Sequence, residues 1–152
     1  AKPKTAAVES VNRYLLAWVE QGKRNPSEMS PPSEPDEIKA LISDETLSAQ
    51  NFGTMALRYY WMDARLRILY TALRLEAYRK KNGRYPPSLS TLGSDPLFTD
   101  PFSGKPLVYR SSGNAYTLYS VGPNGVDDGG MSYREGRMRR NEKGDLLLQP
   151  MF

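Results

Sequence analysis

The first apolar pattern in the chain has the period of an amphipathic helix. Val8, Val11, Leu15 and Trp18 recur at spacings of three and four residues. This spacing predicts a helix over residues 5–21, with Thr5 as its cap and a glycine at position 22 as its stop. Four prolines between positions 26 and 35 then predict an extended connector, and residues 36–42 predict a brief helix.

A second and longer helical pattern begins somewhere within residues 43–54 and runs to about Lys81. Its main apolar stripe, which we expect to be buried, consists of Met62, Leu66, Leu69, Leu73 and Ala77, widened by Ile68, Ala72 and Leu75. Basic residues at positions 79–81 suit the negative end of a helix dipole, and Asn82-Gly83 predicts the end of the helix.

After Tyr85-Pro86-Pro87 the helical period disappears. Residues 88–104 predict a loop pinned by Leu89, Leu92, Leu97 and Phe98. Residues 107–110 and 115–121 alternate around a Ser-Ser-Gly-Asn turn and predict a hairpin, while residues 145–149 predict a third strand. The sequence therefore predicts an α+β fold, in which a long helix packs on a small three- to four-stranded antiparallel sheet. We expect residues 1–50 to form a helical, Pro-rich extension and residues 51–152 the main domain.

The composition excludes several classes of catalytic and metal site. The chain has no His and no Cys, which excludes His-based acid–base catalysis, cysteine nucleophiles, disulfides and zinc sites built from those ligands. No suitably paired nucleophile or carboxylates stand out, so the sequence predicts a protein that is not an enzyme. No apolar run reaches the length of a membrane span, and the first residue is not Met. We expect the gene product to begin upstream, where an anchor would lie.

An acidic, Gly-rich loop over residues 123–130 contains the first candidate site. Asn124, Asp127 and Asp128 place three side-chain oxygen donors within five positions among glycines. Calcium prefers this mixture of carboxylates and carbonyls. The alternative is a plain turn, since the same residues favour unusual backbone angles without any ligand.

A basic stretch over residues 131–143 is the second candidate. It carries Arg134, Arg137, Arg139, Arg140 and Lys143. Such a run can contact phosphates or an acidic protein surface. The residues favour the alternative of a solvated loop, because Tyr133 is the only ring nearby that could stack on a base.

Three separate segments resemble the major pseudopilin family of type II secretion systems. Residues 75–86 are similar to that family's helix exit, where a Tyr precedes an Asn-Gly-x-Tyr-Pro turn. Asp100-Pro101-Phe102, with Gly-Lys-Pro-Leu after it, resembles the family's entry into its first strand. Residues 116–125 are similar to its second strand and following loop. Together these segments lie between about residues 60 and 130.

The resemblance implies a pilin-like fold in which calcium stabilises the loop after the second strand. It makes Leu118 and Ser120 candidate carbonyl donors and Asp127 and Asp128 candidate carboxylates. Asn124 stands where the family commonly has Asp, which should weaken calcium binding. The family's last acidic ligand matches Asp145 if residues 131–144 are an insertion. The family's N-terminal apolar helix has no counterpart in residues 1–50.

These observations predict a non-catalytic, pseudopilin-like domain in the periplasm or on the outer face of the inner membrane. It would act through contacts with other protein subunits of a type II secretion or pilus-like assembly. Contact with the membrane would be made only through an anchor outside this chain. One alternative is a stand-alone periplasmic binding module, and another is a pilin-like protein that contacts nucleic acid through its basic stretch.

Overall fold

The computed structural model describes residues 4–24, 28–30, 32–33, 35–36, 39, 49–112, 114–132 and 143–147. Within these ranges lie helices α1 (Lys4–Gln21) and α2 (Ala49–Asn82), two 3-10 helices (Leu89–Leu92 and Pro96–Phe98), and strands β1 (Val108–Ser111), β2 (Tyr116–Ser120) and β3 (Leu146–Leu147). The predicted α+β class is confirmed. Two compact units divide the chain, Ala1–Tyr59 and Tyr60–Phe152. None of the described helices is both long and apolar enough to cross a bilayer.

The first unit is built around an aromatic residue of α1. Tyr14 is buried, and Val11 and Trp18 pack against it, the Trp18 ring edge-on at 6.5 Å between centroids. Helix α1 begins at Lys4, so the prediction of Thr5 as its cap is wrong, because Thr5 already lies inside the helix. Val8 and Leu15 belong to the predicted stripe but are 58% and 53% exposed. Only Val11 and Trp18 of that stripe are therefore covered, and each only in part.

Most of the predicted connector and brief helix lies outside the described residues. Among the residues described there, the Lys39 amide donates to the Pro35 carbonyl at 3.1 Å. Met29 is buried, and the neighbouring Ser30 amide donates to Gln21 Oε1 at 2.9 Å. These contacts fold the chain that follows α1 back onto the end of that helix.

Helix α2 buries a different face from the predicted one. The wholly buried positions are Ala64, Ile68, Thr71 and Leu75, at spacings of four, three and four. The predicted stripe is exposed: Met62, Leu66, Leu69, Leu73 and Ala77 all face outwards. Ile68 and Leu75, which were expected only to widen the stripe, belong to the buried face.

The reason for this error is that α2 is apolar on two opposite sides. The buried side alternates Ile68 and Leu75 with the small residues Ala64 and Thr71, which allow the helix backbone to approach its neighbours closely. The buried Thr71 hydroxyl donates to the Arg67 carbonyl at 2.7 Å, so its burial leaves no unsatisfied donor. Hydrophobic periodicity identifies both sides of the helix but does not choose between them.

The three strands form one antiparallel sheet in the order β1-β2-β3. In the β1–β2 hairpin Val108 pairs with Tyr119 and Ser111 pairs with Tyr116, and the Ser112 amide donates to the Ala115 carbonyl across the turn at 2.9 Å. The hairpin is confirmed to within one residue at each end. Strand β3 pairs Leu146 with Ser120 of β2. The predicted third strand is therefore present, although residues 148–149 lie outside the described ranges.

Two arginines attach α2 to the loop that precedes the sheet. Arg67 Nη1 donates to the Pro96 and Thr99 carbonyls at 3.0 and 2.9 Å, and Arg74 Nη2 donates to the Leu92 carbonyl at 3.2 Å. Leu89 and Phe98 are buried in this loop as predicted, whereas Leu97 is 39% exposed. The loop is thus held by carbonyl contacts with the helix as well as by its apolar side chains.

Candidate metal-binding loop

Gly122 lies between β2 and the acidic loop, and its backbone is in the left-handed region. Gly122 has φ of +70°, and a Cβ at this position would lie 3.1 Å from the Gly144 carbonyl oxygen. Both observations require glycine, because other residues rarely adopt this angle and a methyl group would crowd the backbone. The start of the loop therefore passes close to the chain that leads into β3.

Asp127 points back towards the sheet. Its carboxylate accepts hydrogen bonds from the Tyr119 hydroxyl at 2.7 Å and the Gly129 amide at 2.9 Å, and it pairs with Arg110 at 3.2 Å. The Tyr119 hydrogen bond is the main reason that the pKa of Asp127 lies below its ordinary value. Burial, followed by the bond to Asp127, raises the pKa of Tyr119 to about 12. This side chain ties the loop to β1 and β2.

Asp128 joins the loop to Gly144, which lies shortly before β3. One of its oxygens accepts from Asn124 Nδ2 at 2.8 Å and from the Gly144 amide at 2.7 Å. These bonds, that of Asn124 first, lower the pKa of Asp128. Asn124 also accepts a hydrogen bond from the Val126 amide at 3.1 Å, so it shapes the turn itself. The amide of Asn124 thus occupies an oxygen that a cation would otherwise contact.

Asp145 is the buried acid of the site, with no accessible surface. Its two carboxylate oxygens accept from the Asp128 amide at 3.2 Å and the Gly130 amide at 2.7 Å. Burial raises the pKa of Asp145, and the negative charges of Asp127 and Asp128 add to that rise. Burial is thus the main reason that ionisation of Asp145 is disfavoured, and the neighbouring carboxylates contribute a smaller part.

The structure shows one further important acid, Asp100, which the sequence indicated only as part of a motif. Asp100 is fully buried. Its carboxylate accepts from the Phe102 amide, the Ser120 hydroxyl and the Val121 amide, each at 2.9 Å. The Ser120 hydroxyl in turn accepts from the Gly122 amide at 3.1 Å. Asp100 thereby holds the end of β2 and the beginning of the acidic loop in place, although burial raises its pKa.

The candidate carbonyl donors lie in β2. Leu118 is paired with Tyr109 of β1, and Ser120 with Leu146 of β3. The donor chemistry fits a hard cation, because every candidate ligand offers oxygen. Each carboxylate, however, accepts the internal hydrogen bonds described above. Within the described ranges, no three His, Cys, Asp or Glu side chains are grouped to hold a metal ion.

The predicted basic stretch falls almost entirely outside the described residues, so the four arginines stay an untested prediction. Its first residue, Met131, lies close to Asp145, which follows the stretch: the Asp145 amide donates to the Met131 carbonyl at 2.6 Å.

Comparisons of the chain with family models, with curated proteins and with solved structures found no match.

Proposed function

We propose that the chain is a non-catalytic, pseudopilin-like extracytoplasmic domain, with a pilin-like fold and a loop that calcium stabilises. It would act through contacts with other subunits of a type II secretion or pilus-like assembly. Its place would be the periplasm or the outer face of the inner membrane.

One observation carries this proposal: the three segments that resemble the pseudopilin family contact one another in space. Tyr85 of the helix exit packs edge-on against Tyr116 of β2, with ring centroids 4.7 Å apart. Asp100 of the Asp-Pro-Phe segment binds the last residue of β2. Segments far apart in the sequence thus form one connected unit, as expected if they were inherited together.

The calcium part of the proposal is supported by charge and chemistry. Asp127, Asp128 and Asp145 lie in one loop system, and the first two already oppose ionisation of the third. A divalent cation would relieve this repulsion, and calcium accepts the carboxylates and carbonyls present here. Candidate ligands are the carboxylates of Asp127, Asp128 and Asp145, the side-chain oxygen of Asn124, and the carbonyls of Leu118 and Ser120.

Thermal unfolding in excess chelator and in about 10 mM calcium tests the calcium loop. A site with a Kd of roughly 0.1–1 mM, typical of extracellular calcium modules, gives about 1.4–2.7 kcal/mol at that concentration. For a chain of this size that corresponds to a rise in Tm of about 3–10 °C. We expect Asp127→Ala with Asp128→Ala to abolish the rise and also to lower the Tm in chelator, because both carboxylates accept hydrogen bonds within the loop.

A matched control removes two acidic charges elsewhere. Glu20 and Asp36 form exposed ion pairs with Lys23 and Lys39, so Glu20→Ala with Asp36→Ala makes the same change in net charge. We expect this variant to keep the full calcium-dependent rise. An equal loss in both double variants would mean that calcium acts through general charge screening and would refute the loop as its site.

The assembly role needs a separate test in the organism that encodes the chain. Deletion of the gene should reduce the export of proteins into the medium, and the unaltered gene should restore it. A gene carrying Asp127→Ala with Asp128→Ala should restore export poorly if the calcium loop supports assembly. Normal export in the deletion strain would refute the assembly role and leave the stand-alone binding module.

A further inference from the structure

The outer face of α2 carries a regular row of exposed, large apolar side chains. Within the second unit these are Met62, Leu66, Leu69 and Leu73, which are 61%, 59%, 40% and 62% exposed. We call these four residues the outer stripe. Single exposed apolar residues are normal on protein surfaces, but four at regular helical spacing form a continuous patch. The outer stripe is therefore a candidate binding surface.

The spacing of the outer stripe points to a helical ligand. Its members are separated by four, three and four residues, which is the a and d pattern of a coiled-coil seam. In the sequence the same spacing continues upstream to Tyr59 and Met55. A seam with a repeat of 3.5 residues is narrow, because it accommodates the knobs of one facing helix. A lipid surface favours the broader apolar face of an interfacial helix.

The charges beside the outer stripe are predominantly basic. Arg65 is exposed at its margin, where its guanidinium lies over the Trp61 ring at 5.9 Å and remains charged, and Lys80 and Lys81 are exposed beyond its C-terminal end. The nearby acids already have partners: Asp63 pairs with Arg67 at 3.0 Å, and Glu76 pairs with Arg79 at 3.0 Å. A facing helix with acidic flanks would complement this margin, whereas a second copy of the same face would bring basic residues together.

The available area also argues against a stable dimer through this face. A fully buried Leu or Met side chain corresponds to roughly 60–120 Å² of apolar surface. Four such side chains, about three-fifths exposed, offer about 150–300 Å², well below the roughly 800 Å² per partner of a standard interface. The stripe suits a weak and exchangeable contact with one helix.

We propose that the outer stripe binds an amphipathic helix of another protein, one with Leu or Ile at its a and d positions and Glu or Asp at the flanking positions. The proposal rests on the exposed face of α2 alone. It does not depend on calcium binding or on the pseudopilin-like role.

A synthetic peptide tests the proposal directly. The probe is a fluorescently labelled three-heptad helix with Leu and Ile at a and d and Glu at e and g, used below the concentration at which it self-associates. The control peptide carries Lys at e and g. Fluorescence anisotropy with the full chain at low salt should show binding of the Glu peptide at least about tenfold tighter than binding of the Lys peptide, because opposite charges face each other only in the first case.

Two double variants locate the binding face. Leu66→Gln with Leu73→Gln removes the centre of the outer stripe and should weaken binding of the Glu peptide at least about tenfold. Leu97→Gln with Val126→Gln changes two exposed apolar residues elsewhere and should leave binding unchanged. Because all four side chains are exposed, we expect both variants to keep the wild-type Tm, and a Tm measurement on each confirms that it is folded.

Four outcomes would overturn the proposal. The first is no binding of the Glu peptide, and the second is equal binding of the Glu and Lys peptides. The third is self-association, seen by sedimentation equilibrium, that Leu66→Gln with Leu73→Gln abolishes; this would make a second copy the occupant. The fourth is binding to phosphatidylglycerol–phosphatidylcholine vesicles that the same variant abolishes, which would make a lipid surface the occupant.

Discussion

Replacement of Asp100 by Ala should destabilise the second unit more than any other single change in the acidic residues of its loops. The carboxylate is fully buried and accepts three hydrogen bonds at 2.9 Å, from Phe102, Ser120 and Val121. The substitution leaves three buried donors without that acceptor, each at a cost of about 1–3 kcal/mol. Removal of the buried charge offsets part of this cost. We therefore expect a net loss of about 3–6 kcal/mol.

Guanidinium unfolding, followed by near-ultraviolet circular dichroism, measures this loss. The method reports the packing of aromatic side chains, and both Phe102 and Tyr119 are buried beside Asp100 or in the sheet that it holds. Asp100→Asn keeps one carbonyl oxygen but presents an amide to at least one donor, so its loss should be intermediate. The expected order of stability is wild type, then Asn, then Ala.

Asp95 provides a matched control for this experiment. It also accepts hydrogen bonds from a hydroxyl and a backbone amide, those of Tyr70 and Leu97, but its side chain is 21% exposed. Water can replace the lost acceptor there, so Asp95→Ala should cost much less stability than Asp100→Ala. A loss below about 1 kcal/mol for Asp100→Ala, or an equal loss for both variants, would refute the view that burial of Asp100 makes its hydrogen bonds important.

Three further predictions concern the acidic loop. Gly122→Ala should lower the free energy of unfolding by about 1–3 kcal/mol, and Gly83→Ala should lower it by about 1 kcal/mol. Both glycines have a positive φ, but only at Gly122 would the added methyl group meet a backbone oxygen, that of Gly144. Equal losses would contradict this. Asn124→Asp should enlarge the calcium-dependent rise in Tm, because it adds a charged ligand and removes a hydrogen-bond donor from the loop; an unchanged rise would argue against that ligand. Without calcium, the raised pKa of Asp145 contributes stability that is complete below the ordinary carboxyl pKa and is lost as pH rises through the raised value. From about pH 3 to pH 7, wild type should therefore lose stability relative to Asp145→Asn, and the opposite trend in unfolding free energies would refute the assignment.

The sequence was sufficient to predict the two described α-helices and the three strands, but not the two 3-10 helices within the predicted loop. Helix α1, helix α2 and the hairpin lie within a few residues of their predicted positions, because their periodicities and terminating residues act locally. Helix α2 ends as predicted at Asn82, followed by Gly83 with φ of +73°. Local patterns of this kind do not depend on what the element packs against.

The buried face of α2 could not be predicted in the same way. Leu66 and Leu73 are more apolar than Ala64 and Thr71, yet only the latter pair is buried. Which side is buried depends on close approach and on satisfied polar groups, such as the Thr71 hydroxyl, and these are tertiary properties.

The candidate site was only partly accessible from the sequence. Asp127 and Asp128 were conspicuous because they are adjacent and lie among glycines. Asp100 was visible only as part of a motif, since its binding partners Ser120 and Val121 are some twenty residues away. Asp145 could be suggested only by resemblance, although it lies buried against the same loop. Contacts between residues so far apart in the sequence leave no local periodic pattern.

The junction between Met131 and Asp145 has a consequence for protein engineering. The Asp145 amide donates to the Met131 carbonyl, and Ser132 and Asp145 form a parallel bridge. These contacts hold the described residues on either side of positions 133–142 close to each other. Because the entropy of closing a loop grows only slowly with its length, we expect the junction to accept a longer or differently charged insert at those positions while the acidic loop keeps its supports.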